Sequence, residues 1–505
     1  MKKIFEMIAI ASIGLLTACD LDLYPETGYN EGNVEVESDK QESHISTRSD
    51  IKGLRDAMYH SWIKDIQEKG YMDFLVYAEC RADNSYGSST TPEVTAIEAN
   101  KQDGENVNVV RDWDWYLAQV SNTNNIICNI DSVLIKSADS DDPLSQEEHD
   151  EWLSEAYCWK AWNLFQMSRL WGDIPLVNTI PPAITAENIE EVYDQYYPPR
   201  SPIGDVYDQI IHDLEFASQH APDNDPSDKM VFTKGFAHGM LARVFAEPTR
   251  RDWQKVKEHC EAVEAMDYRL ADHYGDLWAY DEKDARRNNP ESIFEVTWTR
   301  SSGNWVWMMF HRNAWIPNDS YTWAKWLTPS RDLIAAYDAE GDTERKNASI
   351  IFDKCTWSGY YPNTAYAFMH KVPTNASSQI LMRLAEIKLL HAEALVELGD
   401  LEGARTLVNE IRKRAGIKPV GSFSGKEQAL DAVLHERRLE LSFEGFRFFD
   451  LLRHGFDKAK TLHDGMHAKD SYWQDRVPLT EETVYMPVPQ TAMDLNPSLV
   501  QNPGY

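Results

Sequence analysis

The chain has 505 residues, 42% of them apolar or aromatic, and its 82 acidic against 50 basic side chains give a formal charge of −32. A charge of that sign and size repels nucleic acid and anionic polymers at long range and argues against both as partners. The five cysteines beyond Cys19 (Cys80, Cys128, Cys158, Cys260 and Cys355) show no C-x-x-C spacing, so they are expected as buried free thiols, not as a zinc site or a disulfide framework.

At the N-terminus Lys2 and Lys3 precede an apolar run from Met7 to Ala18, with Glu6 an irregularity in the basic stretch. The run is shorter than the roughly 20 apolar residues of a spanning helix and fits a signal peptide over residues 1–18. Leu16-Thr17-Ala18-Cys19 fits a bacterial lipobox, which makes Cys19 the expected acylated first residue of the mature chain. Several lipid chains on one residue anchor a protein stably, so the membrane is expected to be reached through the lipid alone. Residues 19–50, with Glu31, Glu35, Glu37, Asp39 and Glu42 and few large apolar residues, read as an acidic tether. No linker interrupts the remainder, so residues 51–505 are expected to form a single body.

Within that body the polar loop Glu79-Cys-Arg-Ala-Asp-Asn-Ser-Tyr86 offers Arg81, Asp83, Asn84 and Tyr86 either as hydrogen-bonding groups for a ligand or as an Asp/Asn turn with helix capping. Asp112-Trp-Asp-Trp-Tyr116 could extend a ligand wall, although Trp115 is expected to begin the next helix and pack inward. A helix over 151–171 ends at Gly172. Further helices over 234–246 and 252–265, and over 381–400 and 401–415, form two pairs with Ala242 and Ala392 at close-approach positions and a turn at Gly399. This spacing has the layout of tetratricopeptide repeats, in which small residues let antiparallel helices stack. The fold expected is mainly α: a tetratricopeptide-like helical repeat scaffold over about 51–268 and 381–455, with an irregular, loop-rich, aromatic insertion over about 269–380.

Seven of the 17 tryptophans fall within residues 278–326. Ser292 to Trp298 alternates as a strand does and sends Trp298 inward. Beyond it no period survives, and Gly303, Asn304, Pro317, Asn318 and Asp319 mark loops. Trp305, Trp307, Trp315, Trp323 and Trp326 are therefore candidate ligand platforms, since an electron-rich indole face suits the apolar C–H face of a pyranose while nearby polar groups bind its hydroxyls. Ordinary loop packing is the competing account.

Residues 435–444 read as a helix on which Glu436, Glu440 and Glu444 share a side and Arg437 reaches Glu440 or Leu441. Acids on one salt-bridged face do not make an acid/base pair. No H-E-x-x-H occurs, Gly421-Ser-Phe-Ser-Gly425 has Phe423 where a nucleophile elbow needs serine, and Asp223 to Asp228 lacks the glycine and terminal glutamate of a calcium loop. No catalytic residue, metal site or cofactor is expected.

The run from Glu436 to Arg453 resembles the E-R-R-x-E-L-x-F-E-G-x-R-x-F-D-L-x-R signature of the SusD/RagB family. The end of the chain, from Tyr485-Met-Pro-Val-Pro-Gln490 to Gln501-Asn-Pro-Gly-Tyr505, is similar to that family's closing pattern. Gly172-Asp-Ile-Pro-Leu176 and the Glu79–Tyr86 loop also match. The resemblance implies a surface glycan-binding lipoprotein that captures oligosaccharide or polysaccharide without cutting it and delivers it to a TonB-dependent outer-membrane transporter of the SusC-like kind. It assigns the Glu436–Arg453 segment to the scaffold and places the Glu79–Tyr86 loop beside the ligand. A peptide-binding member of the family is the alternative, and a surface glycoside hydrolase a further one, which would need a carboxylate pair in a cleft.

Overall fold

Residues 45–87, 91–278, 287–298, 303–311, 326–356 and 358–505 are described by the computed structural model. Cys19 lies outside them, and the body is one unit over Ile45–Tyr505. Its first helix, α1 (Arg48–Asp65), starts slightly before the expected boundary at residue 51. There the Thr47 hydroxyl accepts from the Asp50 amide and the Asp50 carboxylate accepts from the Thr47 amide, a capping box that fixes the start.

Helices α2 (Val107–Ile127), α3 (Gln146–Trp171), α4 (Ile203–His220), α5 (Lys234–Ala246) and α6 (Trp253–Glu264) follow, and each packs on the one before it. Ser145 and Glu148 form a second capping box at α3, and Thr233 and Asp252 cap α5 and α6. The chain then leaves for more than a hundred residues and returns as the strand Gln379–Arg383 and helix α7 (Leu384–Leu398). That helix packs against α6, so the insertion opens and closes within one step of the stack. Gly399, in the left-handed region at φ 91°, ends α7, and α8 (Leu401–Arg414) and α9 (Lys426–Glu440) complete the scaffold. The mainly helical repeat architecture is thus as expected.

The stack is filled with tryptophan. Trp62, Trp113, Trp159, Trp162 and Trp171 are almost wholly buried, with Trp159 stacked on Trp162 at 5.0 Å between ring centres and Trp62 against Trp159 at 4.9 Å. Trp115 lies inside α2 and packs inward. The strands are short. Ser292–Val296 pairs antiparallel with Gln379–Arg383 and buries Trp298 just beyond it, while Ser85–Gly87 pairs with Leu327–Pro329 and Ile350–Asp353 with Tyr366–Met369. Among the described residues no disulfide forms: Cys80, Cys158, Cys260 and Cys355 are buried thiols, and Cys128 is exposed, a correction to its expected burial.

The signature segment also differs from its expected shape. Helix α9 ends at Glu440, not at 444, because Phe443 and Gly445 take positive φ values of 63° and 86° and turn the chain. Arg437 does not reach along its own helix to Glu440. It holds both oxygens of Asp450 at 2.9 and 3.0 Å, in the helix α10 (Arg447–Arg453). The three glutamates instead face a buried cluster of cations from other elements. Glu436 accepts from Arg345 and Arg412, Glu440 from Arg345, Arg383 and Arg414, and Glu444 from Lys371 and Arg383. Burial pushes the Glu440 carboxyl up, and the three guanidiniums more than offset that, holding it well below the usual carboxylate range. The spacing of the glutamates therefore ties insertion, α8 and α9 together instead of bracing one helix.

Candidate functional site

After Asp65 the chain continues α1 in a wider π-helical winding over Ile66–Asp73 and again over Val76–Cys80. Such windings carry an extra residue per turn, redirect side chains and recur at functional sites. Gly70 allows this one to press against the core, since a Cβ there would stand 3.0 Å from the Trp115 ring and 3.1 Å from Trp162.

The insertion hangs three tryptophans on this winding. The Trp305 amide donates to Gln67 Oε1 at 2.7 Å, and a single 3₁₀ turn over Val306–Met309 follows it and carries Trp307. The Trp326 amide donates to the Met309 carbonyl at 3.0 Å, and its indole Nε1 donates to Asp73 Oδ1 at 2.9 Å. Trp305, Trp307 and Trp326 are each partly buried and packed against the main core. Candidates that the sequence separates by up to 21 positions are thereby brought together. Trp315 and Trp323 lie outside the described residues.

Beneath Trp326 is a polar floor that sequence reasoning missed. Arg111 donates to Glu68 at 2.7 Å and to Asp73, and Tyr77 donates to Asp112 at 2.9 Å. Burial pushes both the Asp73 and Asp112 carboxyls up, Arg111 opposes this, and Asp73 raises Asp112 further. Asp73, buried and paired with Arg111, is the acceptor for the Trp326 indole, and Glu68 and Arg111 are both partly exposed. Only Asp112-Trp-Asp-Trp-Tyr116 hinted at this floor; the π winding that aims Gln67 and Asp73 has no sequence period.

The other candidates lie in the interior, with their polar atoms already engaged. Arg81 donates to the Thr483 and Val484 carbonyls, and its guanidinium lies 4.1 Å from the Phe448 ring centre. Asp83 accepts from Arg447 at 2.7 and 3.0 Å, Asn84 donates to Glu79 at 2.6 Å and accepts from Arg438 at 3.0 Å, and the buried Tyr86 hydroxyl donates to Asp470 at 2.5 Å. These four residues join α9, α10 and the C-terminal segment, and they do not gather with the tryptophans. Among the described residues no cluster of three or more His, Cys, Asp or Glu side chains could hold a metal ion, and no helix is long and apolar enough to cross a membrane.

Fold and local geometry together define a helical-repeat protein whose insertion between two stacked helices is attached at Trp305 and Trp326 to a π-helical winding. Residues 253–505 match the SusD family, and residues 34–246 match the family described as starch-binding associating with outer membrane. The chain belongs to the SusD family. SusD-like protein P38 of Formosa agariphila is 25% identical in an alignment spanning 100% of both chains. A SusD superfamily protein of Bacteroides thetaiotaomicron superposes with a TM-score of 0.71 at 20% identity, covering 90% of this chain and 100% of that one. A laminarin binding SusD-like protein does so with a TM-score of 0.70 at 20% identity, covering 91% and 100%.

Proposed function

We propose that this chain is a cell-surface lipoprotein, held at the outer membrane through Cys19, that captures an oligosaccharide on its insertion tryptophans and passes it uncut to a TonB-dependent transporter. The observation that supports the reading is the attachment of Trp305 and Trp326 to one π-helical winding, with Trp307 on the 3₁₀ turn that follows Trp305 and with Glu68 and Arg111 paired next to Asp73, the acceptor of the Trp326 indole. A neutral glycan is compatible with a chain of charge −32, because its binding depends on stacking and close hydrogen bonds and not on long-range attraction. The laminarin-binding relative and the starch-binding description of the matched family support a sugar as ligand.

The test is to make Trp305→Ala, Trp307→Ala, Trp315→Ala, Trp323→Ala and Trp326→Ala separately. The best ligand from a glycan array is then titrated by calorimetry, with a melting curve for each variant. At least one should lose tenfold or more in affinity, about 1.4 kcal/mol, with little change in melting. If all five bind normally or simply unfold, the surface is packing. Release of sugar on incubation would overturn the claim that the ligand is passed on uncut.

A further inference from the structure

Helices α5 and α6 pack side by side in the repeat stack, and each turns one histidine toward the other. His238 of α5 and His259 of α6 meet with their Nδ1 atoms 3.0 Å apart and their ring centres 5.2 Å apart. Both residues are partly buried, and the His259 ring lies parallel to that of Phe245 with the centres 5.8 Å apart. Burial lowers the pKa of both rings, that of His259 to about 4, so both imidazoles are neutral at pH 7 and each has one nitrogen lone pair to give. The charged groups that act on the two rings are Lys234, Lys255 and Glu258. Lys234 is paired with Asp223 at 3.0 Å, which leaves the Lys255 ammonium and the Glu258 carboxylate to offset each other.

We infer that His238 and His259 form a two-imidazole site for a divalent late transition metal of the zinc and copper kind, with water completing its coordination shell. Imidazole nitrogen suits these metals, whereas magnesium and calcium take oxygen ligands. Two nitrogens each about 2.0–2.1 Å from a tetrahedral zinc stand about 3.3–3.4 Å apart, so the pair need open by only about 0.3–0.4 Å to admit the ion. Without metal, one Nδ1 donates its proton to the other. On binding, that proton moves to the same ring's Nε2, so both rings stay neutral and no net proton is released. Two protein ligands are fewer than the three or four of catalytic and structural zinc sites, so the ion exchanges with solvent and does not hold the fold together. A chain of charge −32 draws a dication at long range. The pair shares no residue with the tryptophan surface, and the inference stands whether or not that surface binds glycan.

The tag-free full chain, His238→Gln and His259→Gln are each titrated with zinc chloride and with magnesium chloride by calorimetry, alongside melting curves. Each is also loaded with an equimolar amount of copper(II) chloride for electron paramagnetic resonance. The unaltered chain should bind zinc at a site that either folded variant fills at least tenfold more weakly, and magnesium should not compete there. Its copper spectrum should show coupling to two imidazole nitrogens, and the variants' spectra should lose that pattern. Zinc affinity and stoichiometry in the folded variants equal to those of the unaltered chain overturn the inference. So does the absence of zinc and copper binding at submillimolar concentration. If both variants unfold, the copper spectrum of the unaltered chain decides: coupling to two nitrogens supports the site, and coupling to fewer overturns it.

Discussion

Glu440→Gln isolates the buried ion cluster because it removes one charge while keeping the shape of the side chain. Glu440 is fully buried and accepts from Arg383 at 2.6 Å, from Arg345 at 3.1 Å and from Arg414. Losing one partner of a buried pair costs about 3–5 kcal/mol, since the remaining charges cannot be rehydrated. Unfolding entropy is about 2.1 cal/mol/K per residue, which over the body sums to roughly 1 kcal/mol/K. The expected fall in melting temperature is therefore only about 3–5 °C, despite the large energy. A second signature comes from acid. Glu440's folded pKa is depressed, so its contribution is fully present above its unfolded pKa, near 4.3, and is lost as pH falls below that value. The variant should lack this part of the acid slope. Thermal melts at pH 7 and across the range below pH 5, with a glycan titration of the folded variant, decide the matter. An unchanged melt at pH 7 combined with lost glycan binding would refute a structural role and move this segment into the site.

Cys19→Ala should release the protein from the membrane fraction into periplasm or medium, and unchanged membrane association would sink the lipid anchor. His259 meets His238 at 3.0 Å between the Nδ1 atoms, and burial, reinforced by His238, lowers its pKa to about 4. Its folded pKa lies below the unfolded value, so stability is full above about pH 6.5 and is lost as pH falls from there toward 4. His259→Gln should reduce the loss of unfolding free energy between pH 7 and pH 5 by about 1 kcal/mol after allowance for solvent screening. Identical slopes in denaturant titrations of the two proteins would remove His259 as a source of acid sensitivity.

The repeat helices were legible because their signals are local. Thr233, Asp252 and Gly399 mark ends, and apolar spacing and small residues mark the faces that stack. The stack of α6 on α7 was only half legible, since nothing local announces that a chain will return after more than a hundred residues. The glutamates of the signature segment show the other limit. Their four-residue spacing is real, but helical spacing reports only which side chains share a face and not what lies opposite. Here the opposing charges come from Arg345, Arg383, Arg412 and Arg414, far away in sequence. A pairing rule for neighbours on one helix therefore chose Glu440 for Arg437, whereas burial and the turn at Phe443 and Gly445 delivered Asp450.

The same reasoning separates the two groups of candidate site residues. Tryptophans without helical or strand period are free of a local structural demand, and clustering them in one insertion could be seen directly in the sequence. Arg81, Asp83, Asn84 and Tyr86 carry the polar chemistry of a ligand loop, yet the same donors and acceptors satisfy buried partners equally well, and composition cannot tell the two uses apart. What distinguishes them is the surrounding charge. In a chain this acidic, buried arginines such as Arg438 and Arg447 require nearby acceptors, and Asp83 is placed where it serves both. Gln67 and Asp73 come from the opposite circumstance. They sit in a winding whose extra residue destroys the period that would have exposed their orientation, and they hold Trp305 and Trp326 by single hydrogen bonds. The π-helical winding at the end of α1 thus gives the insertion two points of attachment, at the Trp305 backbone and at the Trp326 indole.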